Sequence, residues 1–316
     1  MTGVWLENGI VSLRHDLPYP SAAEGEAVIK ILCAGICSTD HSLIAGMIPY
    51  VGVLGHEFVG LVEEGPKELI NKRVVGEIVA ACRQCASCKQ GRTSHCPYRT
   101  VLGITNRNGV FAEYITLPVE NLYLLPESIP TEIATFTEPL AAAAQILKQV
   151  KIKCDNKVLL VGSGKLAQLI ARVLLLKGCN LHCTGRNPRT LDLFPQNVKA
   201  CHIDDIAEND FDVVVECTGN AAGFEVARQA VRPQGTLVLK STYPGTFAVD
   251  LTQLVVDEIT VVGSRCGPFR PAIELLELGN IDLSILIDQR FQLSQAMNAL
   301  RISQTPGILK VLLDMQ

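Results

Sequence analysis

An excess of positive charge is missing from this sequence. Its 316 residues contain 28 Lys and Arg against 32 Asp and Glu, a formal net charge of −4, and no long basic run occurs. Nucleic-acid binding needs a concentrated basic surface, because phosphate contacts supply much of its affinity. We therefore expect no nucleic-acid partner.

Long apolar runs and a targeting segment are also missing. No hydrophobic run approaches the roughly 20 residues that a helix needs to span a bilayer. Residues 1–8 have neither the basic flank nor the apolar stretch of a secretion signal. These absences predict a soluble, cytoplasmic protein without a membrane partner.

Hydrophobic residues make up 48% of the chain. A chain of this length can bury two ordinary cores and is too long for one small domain, so two domains are expected. Up to about residue 125, short alternating or apolar runs separated by glycine predict β-structure. Five later apolar runs alternate with helix-like segments and predict a parallel, doubly wound α/β sheet: 157–161, 181–184, 211–217, 236–241 and 259–263.

The sequence has twelve cysteines. Five lie in apolar segments, where cysteine behaves as a small hydrophobe, and are predicted to be core residues: Cys154, Cys179, Cys183, Cys201 and Cys217. Four others crowd into one polar stretch. In a chain without a secretion signal, such crowding indicates metal binding more than disulfide formation.

That polar stretch reads C-x2-C-x2-C-x7-C, with ligands at Cys82, Cys85, Cys88 and Cys96. Four thiolates form a closed tetrahedral shell for zinc, so a structural rather than a catalytic role is predicted. An iron–sulfur cluster would need a different spacing, and four free thiols in a polar loop would be open to oxidation.

A second set of potential ligands is dispersed along the chain. It consists of Cys37 in Gly-Ile-Cys-Ser-Thr, His56 and Glu57 in Gly-His-Glu, and Glu138 in Thr-Glu-Pro-Leu. One thiolate, one imidazole and a carboxylate are the donors that a catalytic zinc takes when one position stays open. Each piece alone is weak, because Gly-His-Glu is often a turn and Glu-Pro often a helix start.

The third motif, Val-Gly-Ser-Gly-Lys-Leu-Ala, ends a predicted strand and begins an amphipathic helix. Gly162 permits the turn, Gly164 admits a pyrophosphate to the helix N-terminus, and Ala167 allows the helix to pack closely on the sheet. This context predicts a dinucleotide-binding site.

The next strand ends in residues that bear on the choice of cofactor. An acid that would bind a free ribose 2′-hydroxyl is missing there, and the sequence has instead Thr184, Gly185, Arg186 and, further on, Arg189. Hydroxyl and guanidinium groups suit a 2′-phosphate, so NADP(H) is the preferred prediction. NAD(H) stays open, because an arginine at a strand end is common on protein surfaces.

Together and in this order, the three motifs resemble the zinc-containing medium-chain dehydrogenase/reductase family of alcohol, polyol and threonine dehydrogenases. The resemblance implies an enzyme with a β-rich, GroES-like catalytic domain and a Rossmann domain. Residues 1–138 would form the first part of the catalytic domain, 139–264 the dinucleotide-binding domain, and 265–316 a return to the catalytic domain. It also implies a small-molecule alcohol or carbonyl substrate and a homodimer or homotetramer.

Residue by residue, the resemblance assigns Cys37 and His56 to a catalytic zinc, with Glu57 or Glu138 completing the shell. Each subunit would thus hold two zinc ions, one catalytic and one structural. Thr39 corresponds to the hydroxyl that passes the substrate proton outward, and the hydride goes to the nicotinamide. Asp40 corresponds to the residue that orients His56. The family often has a histidine where Ser42 stands, so His41 is either the end of this relay or a solvated residue.

Two other functions are compatible with this fold. A zinc-free quinone or enone reductase would lack both the dispersed ligand set and the four-cysteine loop, so the sequence argues against it. A non-catalytic or regulatory dinucleotide-binding relative is disfavoured less strongly, by the intact ligand set.

Overall fold

The structure is a computed structural model of the chain and describes residues 1–243 and 245–315. The described chain divides into two units. The first comprises Met1–Glu138 and Pro268–Gln316, and the second comprises Pro139–Gly267.

The β-strands of the described chain are short, mostly two to ten residues long. They are β1 (Gly3–Glu7), β2 (Ile10–Arg14), β3 (Glu26–Gly35), β4 (Gly52–Val53), β5 (Glu57–Glu64), β6 (Arg73–Gly76), β7 (Val79–Ala80), β8 (Thr100–Val101), β9 (Tyr114–Pro118), β10 (Leu122–Leu124), β11 (Lys157–Val161), β12 (Asn180–Gly185), β13 (Lys199–His202), β14 (Phe211–Glu216), β15 (Val231–Leu239), β16 (Thr260–Gly263), β17 (Ile287–Gln292) and β18 (Lys310–Asp314).

The α-helices are interspersed among these strands. They are α1 (Ser38–Ile44), α2 (Ala86–Lys89), α3 (Thr131–Ala134), α4 (Thr137–Gln149), α5 (Lys165–Leu175), α6 (Pro188–Asp192), α7 (Ala221–Ala230), α8 (Leu251–Val256), α9 (Phe269–Glu277) and α10 (Ala296–Ile302). Within residues 1–243 and 245–315, no helix combines the length and the apolar character needed to cross a membrane.

The second unit is built on a six-stranded parallel sheet with the order β13-β12-β11-β14-β15-β16. The order reverses between β11 and β14, which is where doubly wound sheets bind dinucleotides. The central strand β11 has an apolar run that is buried throughout from Val158 to Val161. Such runs are expected when helices cover both faces of a parallel sheet.

The parallel sheet predicted from the sequence is therefore present, with one strand more than expected. The five predicted runs correspond to β11, β12, β14, β15 and β16. The unpredicted strand β13 lies at the sheet edge and has the partly exposed sequence Lys-Ala-Cys-His, which carries no apolar signal.

Not all of the five cysteines predicted to be core residues are buried. Cys179 and Cys183 are buried, Cys201 and Cys217 are half-buried, and Cys154 is exposed. The prediction was wrong for Cys154 because this residue lies in the turn before β11 and not in an apolar element.

The first unit contains a seven-stranded sheet with the order β10-β6-β5-β3-β18-β17, in which β9 also pairs with β3. Two antiparallel pairings place Gly35 of β3 opposite Glu57 of β5 on one side and Leu312 of β18 on the other. The C-terminal strand thereby lies against the strand that leads to Cys37.

The missing side chain of Gly35 creates space between these strands. A Cβ atom at residue 35 would overlap the Glu57 carboxylate and lie 3.2 Å from Lys310 Nζ. The ammonium group of Lys310 uses this space to form a buried ion pair with Glu57.

We predict that Gly35→Ala destabilises the first unit by about 1–3 kcal/mol, the usual cost of overpacking a close-packed site. The single tryptophan, Trp5 on β1, belongs to this unit, so its fluorescence during denaturant unfolding measures the effect. Gly263→Ala is the matched control, because a Cβ at this strand glycine meets no atom within 4 Å. An unchanged Trp5 transition in Gly35→Ala would contradict the packing argument.

Candidate active site

The four-cysteine loop folds its sulfur atoms into one cluster. The Sγ–Sγ distances are 3.5 Å for Cys85–Cys88, 3.8 Å for Cys85–Cys96, 3.4 Å for Cys96–Cys82 and 4.0 Å for Cys82–Cys88. Sulfurs at tetrahedral corners, each about 2.3 Å from a zinc ion, would be about 3.8 Å apart. The cluster therefore has the size of a zinc site formed by four cysteines.

The thiols of this cluster differ in their tendency to ionise. Backbone N–H groups of Gln84 and Cys85 lower the pKa of Cys82 to about 6. Burial and the neighbouring sulfurs of Cys85 and Cys96 raise the pKa of Cys88 to about 12. Because sulfurs this close repel one another as thiolates, full ionisation of the set requires a cation at its centre.

The dispersed ligand set converges in the first unit. Cys37 directly precedes α1, and His56 directly precedes β5, whose first residue is Glu57. Ligand atoms of Cys37, His56 and Glu57 all lie within 4.8 Å of one another. A thiol, an imidazole and a carboxylate at this separation match the donor types of a zinc site with an open position.

The Asp40 carboxylate lies between Cys37 and the histidine of this set. Its Oδ2 accepts a hydrogen bond from the Cys37 backbone N–H at 2.8 Å, and its Oδ1 lies 3.4 Å from His56 Nδ1. Among the described residues, neither Asp40 Oδ1 nor His56 Nδ1 forms a hydrogen bond of ordinary geometry, so their close approach is electrostatic. Nδ1 therefore faces the carboxylate, which leaves Nε2 for a metal.

The electrostatics of the set favour a cation. Burial by itself would lower the pKa of His56, but the Asp40 carboxylate and the Cys37 sulfur outweigh burial and hold that pKa well above its ordinary value.

Among the described residues, Glu138 is not part of the group of ligand atoms within 4.8 Å, although its charge acts on Lys310.

The two candidate relay residues have different surroundings. Thr39 is half-buried on α1, with its Oγ1 3.7 Å from Cys37 Sγ. His41 Nε2 lies 2.8 Å from Ser303 Oγ, whose own proton goes to the Leu300 carbonyl, and Nδ1 accepts from the Gln304 amide at 3.0 Å. Both ring nitrogens of the half-buried His41 are thus hydrogen-bonded to residues just beyond the end of α10.

The predicted dinucleotide turn has the expected backbone. Gly162 adopts φ +126°, and a Cβ there would lie 3.0 Å from Cys217 Sγ, so only glycine fits. A Cβ at Gly164, which precedes α5, would meet no atom within 4 Å, so the space at this helix N-terminus is open to a ligand. Ala167 is buried on α5.

At the end of β12, the residues predicted to contact the cofactor differ in exposure. Thr184 is fully buried and its hydroxyl donates to the Cys201 carbonyl at 3.1 Å, whereas Arg186 and Arg189 are exposed. A Cβ at Gly185 would collide with the Ser163 side chain, with a distance of 2.7 Å to its Cβ. An aspartate at residue 185 therefore does not fit, and Arg186 is the first residue after β12 whose side chain is exposed.

Sequence reasoning missed the residues that fix this turn. Ser163 Oγ lies 2.7 Å from Thr190 Oγ1, and the fully buried Gln168 donates to the Thr190 carbonyl at 2.7 Å. These bonds tie the glycine turn to α6. Ser163 stands at a position that the glycine motif does not specify, so the motif did not indicate its role.

Lys310 was also missed, although a signal was present. It begins the apolar run Lys-Val-Leu-Leu of β18, where a charged residue is out of place. In the structure it is buried, and burial, which lowers the pKa of an ammonium group, is outweighed by Glu57, Cys37 and Glu138, so that its pKa is raised.

A doubly wound sheet with a glycine turn, joined in one chain to a β-rich unit with two clusters of metal ligands, is the architecture of a zinc-containing dehydrogenase. Residues 23–127 match the alcohol dehydrogenase GroES-like domain family, and residues 168–278 match the zinc-binding dehydrogenase family. The two matches together span more than half of the chain.

Known proteins resemble the chain over most or all of its length. L-threonine 3-dehydrogenase from Anaeromyxobacter dehalogenans (strain 2CP-C) is 26% identical over 340 residues, covering 99% of this chain and 95% of that protein. L-galactonate-5-dehydrogenase from Escherichia coli (strain K12) is 29% identical over 305 residues, covering 89% and 88%. The structure of a zinc-binding dehydrogenase from Sinorhizobium meliloti 1021 bound to NADP superimposes with a TM-score of 0.90 at 26% identity and covers 99% of both chains.

The chain belongs to the zinc-containing medium-chain dehydrogenase/reductase family of alcohol and polyol dehydrogenases. It is an enzyme, an oxidoreductase that acts on small-molecule alcohols, in a family that uses zinc and a nicotinamide cofactor. The predicted α/β fold class, with a GroES-like and a Rossmann part, is confirmed.

We predict that Cys88→Ser removes one equivalent of bound metal and lowers the unfolding temperature of the first unit, while the dispersed set keeps its metal. The physical reason is that most residues of the loop 82–96 are exposed or half-buried, so a bound ion would supply much of the stability of its fold. Elemental analysis and Trp5 fluorescence measure the two effects. Cys154→Ser, at an exposed cysteine outside both clusters, is the control. Unchanged metal content in Cys88→Ser would refute the four-cysteine zinc site.

Proposed function

We propose that this protein is a zinc-dependent, NADP(H)-linked alcohol dehydrogenase that interconverts a small-molecule alcohol and its ketone or aldehyde. The observation that carries the proposal is the convergence of Cys37, His56 and Glu57 from two separate segments within 4.8 Å. Such a set has no purpose in a zinc-free reductase, so it favours metal-assisted chemistry over the enone reductase alternative.

Cys37 and His56 would hold the catalytic zinc, with Glu138 or Glu57 as the carboxylate ligand. When bound, zinc supplies Lewis acidity that lowers the pKa of an alcohol. Asp40 keeps Nδ1 of His56 protonated and fixes the ring plane, so that Nε2 stays available as a ligand. The Thr39 hydroxyl, 3.7 Å from Cys37 Sγ, would accept the proton of the alcohol while it gives up its own proton to solvent.

In the second unit, Gly162 and Gly164 would cradle the pyrophosphate at the N-terminus of α5, and Ala167 lets this helix pack closely. The backbone at Gly185 and the exposed Arg186 and Arg189 would surround the 2′-phosphate. Thr184 would contribute through its backbone, because its hydroxyl is bonded within the sheet. The nicotinamide supplies the hydride acceptor.

Further parts of the proposal come from the family resemblance. Each subunit would bind two zinc ions, the second at Cys82, Cys85, Cys88 and Cys96. The subunits would assemble as a homodimer or homotetramer in the cytoplasm, with residues 1–138 and 265–316 as the catalytic domain and 139–264 as the cofactor domain.

We predict that wild-type protein binds two equivalents of zinc and that Cys37→Ala retains one while losing turnover with every alcohol. The reason is that the substitution removes one of the few protein ligands of a site that keeps one position open. Metal content and cofactor reduction with an alcohol panel measure this. Cys33→Ala is the matched control, because Cys33 is buried on β3, the strand that leads to Cys37, and lies outside the set. Full zinc retention in an inactive Cys37→Ala would contradict the ligand assignment.

We predict that Arg186→Ala raises the Michaelis constant for NADPH by roughly tenfold to a hundredfold and leaves the Michaelis constant for NADH nearly unchanged. The expected size is that of losing one charge-assisted contact to the phosphate. Arg186→Asp should reverse the preference toward NADH, because its carboxylate can accept from the ribose hydroxyl and repels the phosphate.

Lys177→Ala serves as the control, since it removes an exposed positive charge just beyond the far end of α5. Wild-type protein that binds NADH more tightly than NADPH in a titration would refute the NADP(H) preference. Gly185→Asp is a further check on the structure, because it should unfold the loop instead of changing the selectivity.

A further inference from the structure

Two polar side chains interrupt the buried part of α5 in the second unit. Gln168 is fully buried and Arg172 is 6% exposed, and both lie among buried apolar residues of this helix. They stand four residues apart, so they are neighbours on one side of the helix. Buried polar groups are costly unless they are hydrogen-bonded. The partners of this pair therefore indicate its role.

Gln168 connects the glycine turn to α6. Its Nε2 donates to the Thr190 carbonyl at 2.7 Å and to the Ser163 carbonyl at 3.4 Å, and its Oε1 accepts from Arg172 at 2.9 Å. The two backbone carbonyls can only accept, and the guanidinium can only donate. A side-chain amide satisfies both, because it carries a donor and an acceptor. Neither a carboxylate nor an apolar side chain can take its place here.

Arg172 holds the other end of α6. Its guanidinium donates to the carbonyl of Leu193, the residue that directly follows this helix, at 3.1 Å. The contact between the Ser163 and Thr190 hydroxyls adds a further connection. Because α6 has only five residues, it is too short to be a stable helix by itself. Its place next to the glycine turn therefore depends on these side chains.

The segments joined in this way are those that the proposed function assigns to different phosphates of the cofactor. Gly162 and Gly164 lie in the turn, Arg186 lies just before α6, and Arg189 lies on α6. In NADP(H) the pyrophosphate and the 2′-phosphate are attached to the same ribose, so their separation varies little. Both can bind only if the turn and α6 are held at a matching distance. NAD(H) has no 2′-phosphate and does not need this match.

We propose that Gln168 and Arg172 are positioning residues that hold α6 at a fixed distance from the glycine turn and so determine the selectivity for a cofactor with a 2′-phosphate. The inference rests on the proposed function, because it presupposes that Arg186 and Arg189 bind that phosphate. Since Gln168 and Arg172 are buried, they act on the cofactor through α6 and not by direct contact.

The test compares the dissociation constants of NADPH and NADH, titrated by the fluorescence of the reduced nicotinamide. Gln168→Met keeps the length of the side chain and removes its hydrogen bonds. It should raise the Kd of NADPH by about tenfold, the lower end of the effect of losing a charge-assisted contact. The Kd of NADH should stay within about twofold of wild type.

Val173→Ala is the matched control, because it shortens a fully buried apolar side chain of the same helix. It should lower the unfolding temperature, measured by circular dichroism, without changing the ratio of the two dissociation constants. This control shows whether a loss of stability in α5 is by itself enough to change the selectivity.

A second comparison separates positioning from general support of the fold. In Arg186→Ala/Arg189→Ala the proposed phosphate contacts are gone, so the addition of Gln168→Met should change the Kd of NADPH by less than about twofold. General support of the fold would show itself differently, because its loss would weaken both cofactors and would persist without the two arginines.

The inference is overturned if Gln168→Met weakens NADPH and NADH equally, leaves both unchanged, or keeps its effect on NADPH in the protein without the two arginines. If Gln168→Met does not fold, Gln168→Glu decides. Its carboxylate still accepts from Arg172 but has no donor for the two carbonyls, so an unchanged preference for NADPH there would also overturn the inference.

Failure of the proposed NADP(H) linkage is recognised separately, without any change at Gln168. Wild-type protein would then bind NADH more tightly than NADPH, or Arg186→Ala/Arg189→Ala would bind NADPH as wild type does. Either result refutes the phosphate site, and the inference fails with it.

Discussion

The pairing of β18 with β3 is the constraint on which the candidate active site depends. It brings the last strand of the chain against the strand that leads to Cys37, in a register that sets Leu312 opposite Gly35. Two residues earlier on β18, Lys310 reaches across the glycine to Glu57. Because buried charges are tolerated only in pairs, a shift of this register would leave both groups uncompensated.

The two candidate metal sites illustrate different ways of placing donors. The four cysteines come from one loop and are brought together by local turns, so their separation follows from their spacing in the sequence. The dispersed set uses the points where β3 ends and β5 begins, which the antiparallel ladder holds side by side. An open position for substrate is compatible with the second arrangement and not with the first.

In the second unit the glycine turn and the end of β12 form one bonded structure. Ser163 fills the space over Gly185, and Thr190 and Gln168 tie the following helix to the turn. A larger side chain therefore does not fit at Gly185, and exposed side chains begin with Arg186. This limit at Gly185 comes from packing against the Ser163 side chain.

The sequence by itself determined the parallel sheet, the glycine turn and the four-cysteine cluster, because each depends on short-range periodicity or spacing. It also identified Cys37, His56 and Glu57 as potential ligands, but could not choose between Glu57 and Glu138. The surroundings of His41, the burial of Thr184, the collision at Gly185 and the Lys310–Glu57 pair were decided by tertiary structure alone. These features depend on which strands become neighbours and in what register, and long-range pairing leaves no local signal in the chain.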